Sequence, residues 1–199
     1  QERGEIGVAV VLETERLVLR MPTQADFDAG WAEFHMDPDC MRYLGGAMAR
    51  SVAWRALAQV VGMWSLLGFG QFSAIDKATG RWLGRVGPWR PEGWPAPEVG
   101  WLFHRDAWGK GYATEAGRAC LDHVFGALRW DFVGHMIHPD NLPSQAVAQR
   151  LGSRLVEMVN LPPPMDVAGQ TQMWGQTAEH WRAAQSPSSD ALRSSASNA

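Results

Sequence analysis

The chain has 199 residues, 46% hydrophobic and 20% charged, the ordinary balance of a folded domain with a substantial core. A net charge of -3 advertises no basic face for nucleic acid, and no stretch has the uninterrupted apolar length that spans a bilayer. Cys40 and Cys120 lie far apart and suggest no disulfide framework, and the charged start QERGEIGVAVVLETERL lacks the apolar run of a secretory signal, so a reducing cytoplasm is the expected setting.

In chain order, Glu15 to Met21 alternates apolar and charged residues and is expected to be a strand, ended by Pro22. Thr23 is expected to cap a helix carrying Phe27, Trp31 and Phe34, which the DPDC stretch breaks. Ser51 is expected to cap a second helix running toward Leu67, closed by Gly68. The period then changes to two. Phe69 to Asp76 and Arg81 to Trp89 form the arms of a hairpin around the KATG turn. After the RPEGWPAP loop, Glu98 to His104 is a further strand, followed by a helix to about Phe125 and a strand over Asp131 to His138. NLPSQAVAQRLG is a short helix, SRLVEMV and TQMWGQ are strands, and TAEHWRAAQ is a last helix. The segment 186–199 is serine-rich and apolar-poor, a disordered tail after a single domain over 1–185. The predicted class is α+β with one central sheet.

DAWGKGYATEAG, Asp106 to Gly117, places Gly109 and Gly111 at the mouth of a helix. The first turn of a helix has free N–H groups and the positive end of its dipole, and glycines let a phosphate approach them closely. A strand, a Gly-x-Gly turn and a helix in succession therefore form a candidate anion cradle. The dinucleotide fingerprint and the nucleotide P-loop are both excluded, the first by its third glycine, the second because Lys110 is followed by Gly111. The short motif alone leaves a plain turn open as the alternative.

From Glu98 to Gly152 the chain resembles the GNAT superfamily of N-acetyltransferases. The signature Gln/Arg-x-x-Gly-x-Gly/Ala reads here Trp108, Gly109, Lys110, Gly111, Tyr112, Ala113, with Trp108 in place of the usual Gln or Arg. The segment with Asn141 and Ser144 resembles the family's Asn-x-x-Ser, and LETERLVLRMPTQAD resembles the opening strand of the branch containing ribosomal-protein-alanine N-acetyltransferases. The usual Leu-Gly-Phe turn reads Leu151, Gly152, Ser153.

The resemblance implies a mixed, mostly antiparallel sheet flanked by helices, with splayed fourth and fifth strands, and acetyl-CoA as co-substrate without a metal. It implies that the N–H groups of residues 108–113 hold the pyrophosphate, with Lys110 either adding charge or solvated. Pantetheine is expected between the splayed strands, pairing like an added strand, with a backbone N–H near Trp101, Leu102 or Phe103 polarising the carbonyl. Asn141 is expected to cap its helix and, by resemblance, to bond pantetheine. The acceptor is expected to be a small-molecule amine or a protein N-terminus, and the protein a monomer or homodimer.

Acetyl transfer to an amine needs a base, a polarised carbonyl and a stabilised thiolate. Glu98 is the leading base, acting through water, with His104 and His138 as rivals near strand ends. His135 and His138 point to opposite faces and make no metal pair. No tyrosine stands in the helix after the fifth strand, and the resemblance gives the acid role to Ser144. Eleven tryptophans must be packed, and Trp31, Phe34, Trp64, Trp89 and Trp94 either pack or line an aromatic acceptor pocket. Glu33, Asp37 and Glu92 either attract a cationic amine or are solvated. The competing reading is a CoA-binding sensor or interaction module that has lost catalysis.

Overall fold

The computed structural model describes residues 10–186, so all but the first residue of the expected serine-rich tail lies outside the described residues. Among the described residues, eight strands form one sheet: β1 (Val11–Glu13), β2 (Leu17–Arg20), β3 (Phe72–Asp76), β4 (Trp82–Trp89), β5 (Glu98–Phe103), β6 (Phe132–Ile137), β7 (Arg154–Val159) and β8 (Thr171–Thr177). Their order across the sheet is β1-β2-β3-β4-β5-β6-β8-β7. Every pairing is antiparallel except β5 with β6, so the class is α+β as expected. A short β1 precedes the opening strand, so the predicted fourth and fifth strands are β5 and β6.

Leu17 and Leu19 of β2 are fully buried while Val18 and Arg20 are partly exposed, as alternation requires. On one sheet face, α3 (Tyr112–Gly126), α4 (Leu142–Arg150) and α5 (Ala178–Gln185) cover the strands. The core there runs from Leu17, Phe72 and Val99 to Cys120, Leu121, Val124 and Trp181. On the other face, a π-helical turn (Phe27–Trp31) leads into α1 (Ala32–Met36) and, after a loop, α2 (Arg50–Leu67). Trp31, Phe34, Leu57 and Val60 pack there against Trp82.

Two expected caps are corrected. Thr23 is not the cap: Asp26 precedes the first helical turn, and its carboxylate accepts the Thr23 N–H at 2.9 Å and the Arg20 guanidinium at 2.7 Å. Ser51 lies inside α2, which starts after Ala49 with no side-chain cap. Gly68 does close α2, in the left-handed conformation at φ 74°, its N–H bonded to Trp64 O at 3.0 Å.

One irregularity shapes the site. Ala74 pairs with Gly84 but Ile75 with Trp82, so β4 carries Leu83 as an extra residue. Such a bulge re-aims the side chains that follow it. Trp82 joins the α1–α2 core and Leu83 the opposite core, while Arg85 lies over the Trp31 ring at 5.2 Å.

Candidate active site

β5 and β6 share a single register pair, Glu98 with Gly134, and then part. Two side chains take over the bonds the ladder loses. The Glu98 carboxylate accepts the Met136 N–H at 3.0 Å, and His135 Nδ1 donates to the Val99 carbonyl at 2.7 Å. Beyond this crotch the strands enclose a cleft of about 1380 Å³ that runs from α2 and the α1–α2 loop to α3 and α4.

Along a strand, alternate residues turn their N–H and C=O to opposite sides. Gly134 N–H bonds Pro97 O and His135 bonds Val99 O, whereas His104 N–H turns back to Leu83 O in β4. The backbone of Trp101 therefore faces the open gap. So does that of Phe103, whose carbonyl takes the Trp108 indole N–H at 2.7 Å. Trp108, at the signature's first position, thus ties the loop to the end of β5.

Gly109 and Gly111 have φ of 70° and 81°, and Gly111 is the N-cap of α3. The first bond back from α3 runs from Glu115 N–H to Gly111 O at 3.0 Å. The N–H groups of Tyr112, Ala113 and Thr114 have no carbonyl partner among the described residues, as at any helix start. Among the described residues no atom lies within 4 Å of where a Gly109 Cβ would stand, so the approach to the turn is open. Lys110 turns away and donates to Asp106 O at 2.7 Å. Glu115 is withdrawn from this mouth: Thr14 Oγ1, Arg16 N–H and Arg16 Nε donate to it at 2.6, 2.8 and 2.6 Å, which holds its carboxyl below the usual range despite partial burial. A free-donor helix mouth beside an unpaired strand edge fits an anion followed by an extended amide chain, the two halves of a coenzyme A molecule.

Glu98 is 7% exposed and accepts a second bond from Trp94 Nε1 at 2.6 Å. Burial pushes its carboxyl up to about 7, against the pull of Met136, Trp94 and the Arg85 charge. Ser144 lies in the first turn of α4 and lines the cleft, and its N–H donates to the Asn141 side chain, which caps α4.

Several candidates lie elsewhere. Trp31 is completely buried, stacked on His35, and does not border the cleft; it is a core residue. Trp64 packs on Phe72 and bonds Gln71 O at 3.0 Å, also away from the cleft. Phe34, Trp89, Trp94 and Glu92 do line it. His138 is at the cleft and stacks on Tyr43; His104 is not among the lining residues. Glu33 is 3.6 Å from His104, and Asp37 pairs with Arg105 at 3.4 Å, so neither carboxylate serves the cleft. Asp37, Cys40 and His104 bring ligand atoms within 4.8 Å of one another, but the Arg105 guanidinium on Asp37 opposes a cation there.

Sequence reasoning missed three lining residues. Arg85 and Gln71 lie on the cleft floor, Arg85 Nη1 donating to Gln71 Oε1 at 2.6 Å. Tyr43 bridges two walls, its hydroxyl donating to Asp140 O at 3.2 Å. The available signal for Arg85 was a charge inside the otherwise apolar run WLGRVGPW.

Comparison with known proteins agrees with this geometry. Residues 16–154 match the family described as acetyltransferase (GNAT) domain. The Bacillus subtilis protein YkkB is 32% identical over 161 residues, 76% of this chain and 91% of YkkB. A crystal structure of the acetyltransferase from Agrobacterium tumefaciens superposes with a TM-score of 0.74 at 28% identity, covering 88% of this chain and 98% of that one. Mycobacterium smegmatis RimJ, solved in complex with CoA-disulfide, shares the fold with a TM-score of 0.64 at 19% identity, covering 88% and 93%. Among the described residues, no helix is long and apolar enough to cross a membrane.

Proposed function

The chain belongs to the GNAT acetyltransferase family, and from that premise we propose that it transfers the acetyl group of acetyl-CoA to a primary amine by direct attack. The observation that carries the reading is the parting of β5 from β6 after one register pair, with a buried carboxylate at the crotch and an open helix mouth beyond.

Acetyl-CoA supplies the activated thioester. The Gly109–Gly111 turn and the first N–H groups of α3 hold its pyrophosphate, and Arg118 and Arg150, which line the same end, add positive charge. The Trp101 backbone pairs with its extended arm, as an edge strand accepts another. RimJ's complex with CoA-disulfide, on the same fold, supports this placement.

Glu98 takes the proton of the acceptor ammonium. A base works best with a pKa near the working pH, and burial sets Glu98 at about 7. Ser144 donates a hydrogen bond to the departing thiolate. Residues 1–185 act as one catalytic domain. The test is release of CoA thiol from acetyl-CoA in the presence of a panel of primary amines, with the acetylated product identified by mass. Tight CoA binding with no transfer to any amine overturns the catalytic reading and leaves a CoA-binding module.

A further inference from the structure

The cleft floor holds two opposite charges that do not meet. Arg85 and Glu98 both line it, and among the described residues neither makes an ion pair. Burying a carboxylate or a guanidinium without a partner is costly, and the obvious remedy, pairing the two, is not taken.

Each has neutral partners instead. Gln71, almost fully buried, accepts from Arg85 Nη1 at 2.6 Å through Oε1. A Cβ built on Gly100 would stand 3.2 Å from Gln71 Nε2 and 3.5 Å from Glu98 Oε1. The bare backbone of Gly100 thus leaves a notch in the floor, bordered by the Gln71 amide and the Glu98 carboxylate. Glu98 Oε1 accepts Met136 N–H and Oε2 accepts Trp94 Nε1, one bond each, leaving lone pairs for an ammonium. Arg85 Nε is sealed from solvent and has no hydrogen-bond partner among the described residues. The guanidinium carbon lies over the Trp31 ring, 5.2 Å from its centroid. Its remaining donors are the groups left to meet something in the cleft.

Separated, unpaired charges of opposite sign are the complement of a molecule carrying the reverse pair. We propose that the acceptor is a small zwitterion, a primary amine with a carboxylate on the same molecule, its ammonium over the Gly100 notch against Glu98 and its carboxylate on Arg85. This assignment rests on the acetyltransferase reading above and narrows its acceptor. Arg85 is then a specificity residue: guanidinium offers a planar fork that matches a carboxylate, which lysine does not.

The experiment measures kcat/KM for a series of α-, β- and γ-amino acids, each beside its own carboxamide, and for a short peptide with a free N-terminus and neutral first residues. The carboxamides and the peptide lack an anion near the amine. The expected result is that at least one free acid is preferred over its carboxamide about a hundredfold. In Arg85→Gln that ratio collapses toward one, and in Arg85→Lys it recovers only in part. Retained affinity for acetyl-CoA and an unchanged circular-dichroism melt establish that the variants fold. If Arg85→Gln does not fold, Arg85→Lys carries the test alone, and an undiminished ratio there overturns the fork. Turnover of amines with no advantage to the free acids, or fastest turnover of the peptide, overturns the zwitterion and leaves the acetyltransferase reading standing. Turnover of no amine at all overturns both.

Discussion

Glu98 Oε1 accepts the Met136 N–H over 3.0 Å at the point where β5 and β6 part. The same carboxylate that repairs the broken ladder is the proposed base, so its position is fixed by backbone rather than by a mobile side chain. Trp94 Nε1 holds the other oxygen at 2.6 Å.

Glu98→Gln tests the charge at nearly constant volume; because both carboxylate oxygens accept an N–H, the new amide nitrogen faces one of those two donors, so the melt and the acetyl-CoA Kd are measured beside the rate. With its carboxyl at about 7, the wild-type rate rises with pH through that value as the base ionises. The amide cannot ionise, so the limb is expected to vanish and the rate at neutral pH to fall by about 10²- to 10⁴-fold. Partial recovery at high pH is expected, where free amine is abundant. A limb that persists in Glu98→Gln and disappears in His138→Gln overturns the assignment.

Ser144→Ala is expected to slow turnover by about ten- to a thousandfold while leaving the acetyl-CoA Kd nearly unchanged. Asn141 caps α4 through the Ser144 N–H, not its hydroxyl, so the helix survives the change. Pre-steady-state thiol release and equilibrium binding separate the two quantities. An unaltered kcat assigns the leaving group to water.

Gly111→Val has two expected effects. A β-branched residue at φ 81° is strained, and the αL conformation alone costs about 1–2 kcal/mol. The nearest neighbour to the new Cβ is the Arg16 guanidinium at 3.5 Å, so packing adds little to that cost. CoA affinity is expected to fall more than stability, because the turn's N–H groups must meet a phosphate. Titration calorimetry well below the melting temperature checks this; an unchanged Kd removes the pyrophosphate from this turn.

The strands and helices were largely legible because each carries its own period, as in Leu17–Arg20 and in the Gly68-closed α2. Caps were read less well. Thr23 and Ser51 have the right chemistry, but Asp26 is drawn to Arg20 and Ser73 across the fold, and α2 begins two residues early. The proposed cofactor half of the site can be read from sequence because its glycines and its strand–turn–helix order are contiguous. Of the proposed acceptor half, only Glu98 can. Arg85, Gln71 and Glu98 come from three strands or their flanks, and a bulge at Leu83, invisible to a period-two reading, sets the face on which Arg85 lies. Tryptophans also mislead: Trp31 is core and Trp94 holds a carboxylate, though composition treats them alike.

Ser153 stands where the resembling family places phenylalanine, and the structure gives the reason. His135 Nδ1 donates to Val99 O, so Nε2 accepts, and the Ser153 hydroxyl lies 2.9 Å away to donate. Gln176 Nε2 donates in turn to Ser153 Oγ at 2.9 Å and to Leu151 O at 2.8 Å. A phenyl ring at 153 would leave His135 Nε2 unsatisfied in the core. Ser153→Ala is expected to cost about 1–3 kcal/mol in urea unfolding. Burial lowers His135 to about 4 from 6.5. Between those values the unfolded chain binds the proton and the folded one does not, so this contribution is complete above pH 6.5 and is lost as pH falls toward 4. In His135→Phe the slope of stability against pH over this window should be shallower than in wild type, though not zero, because His35 is lowered in the same direction. Since His135 also holds Val99 beside Glu98, kcat should fall in the same variant. An identical pH slope with an intact kcat would detach the network from the site.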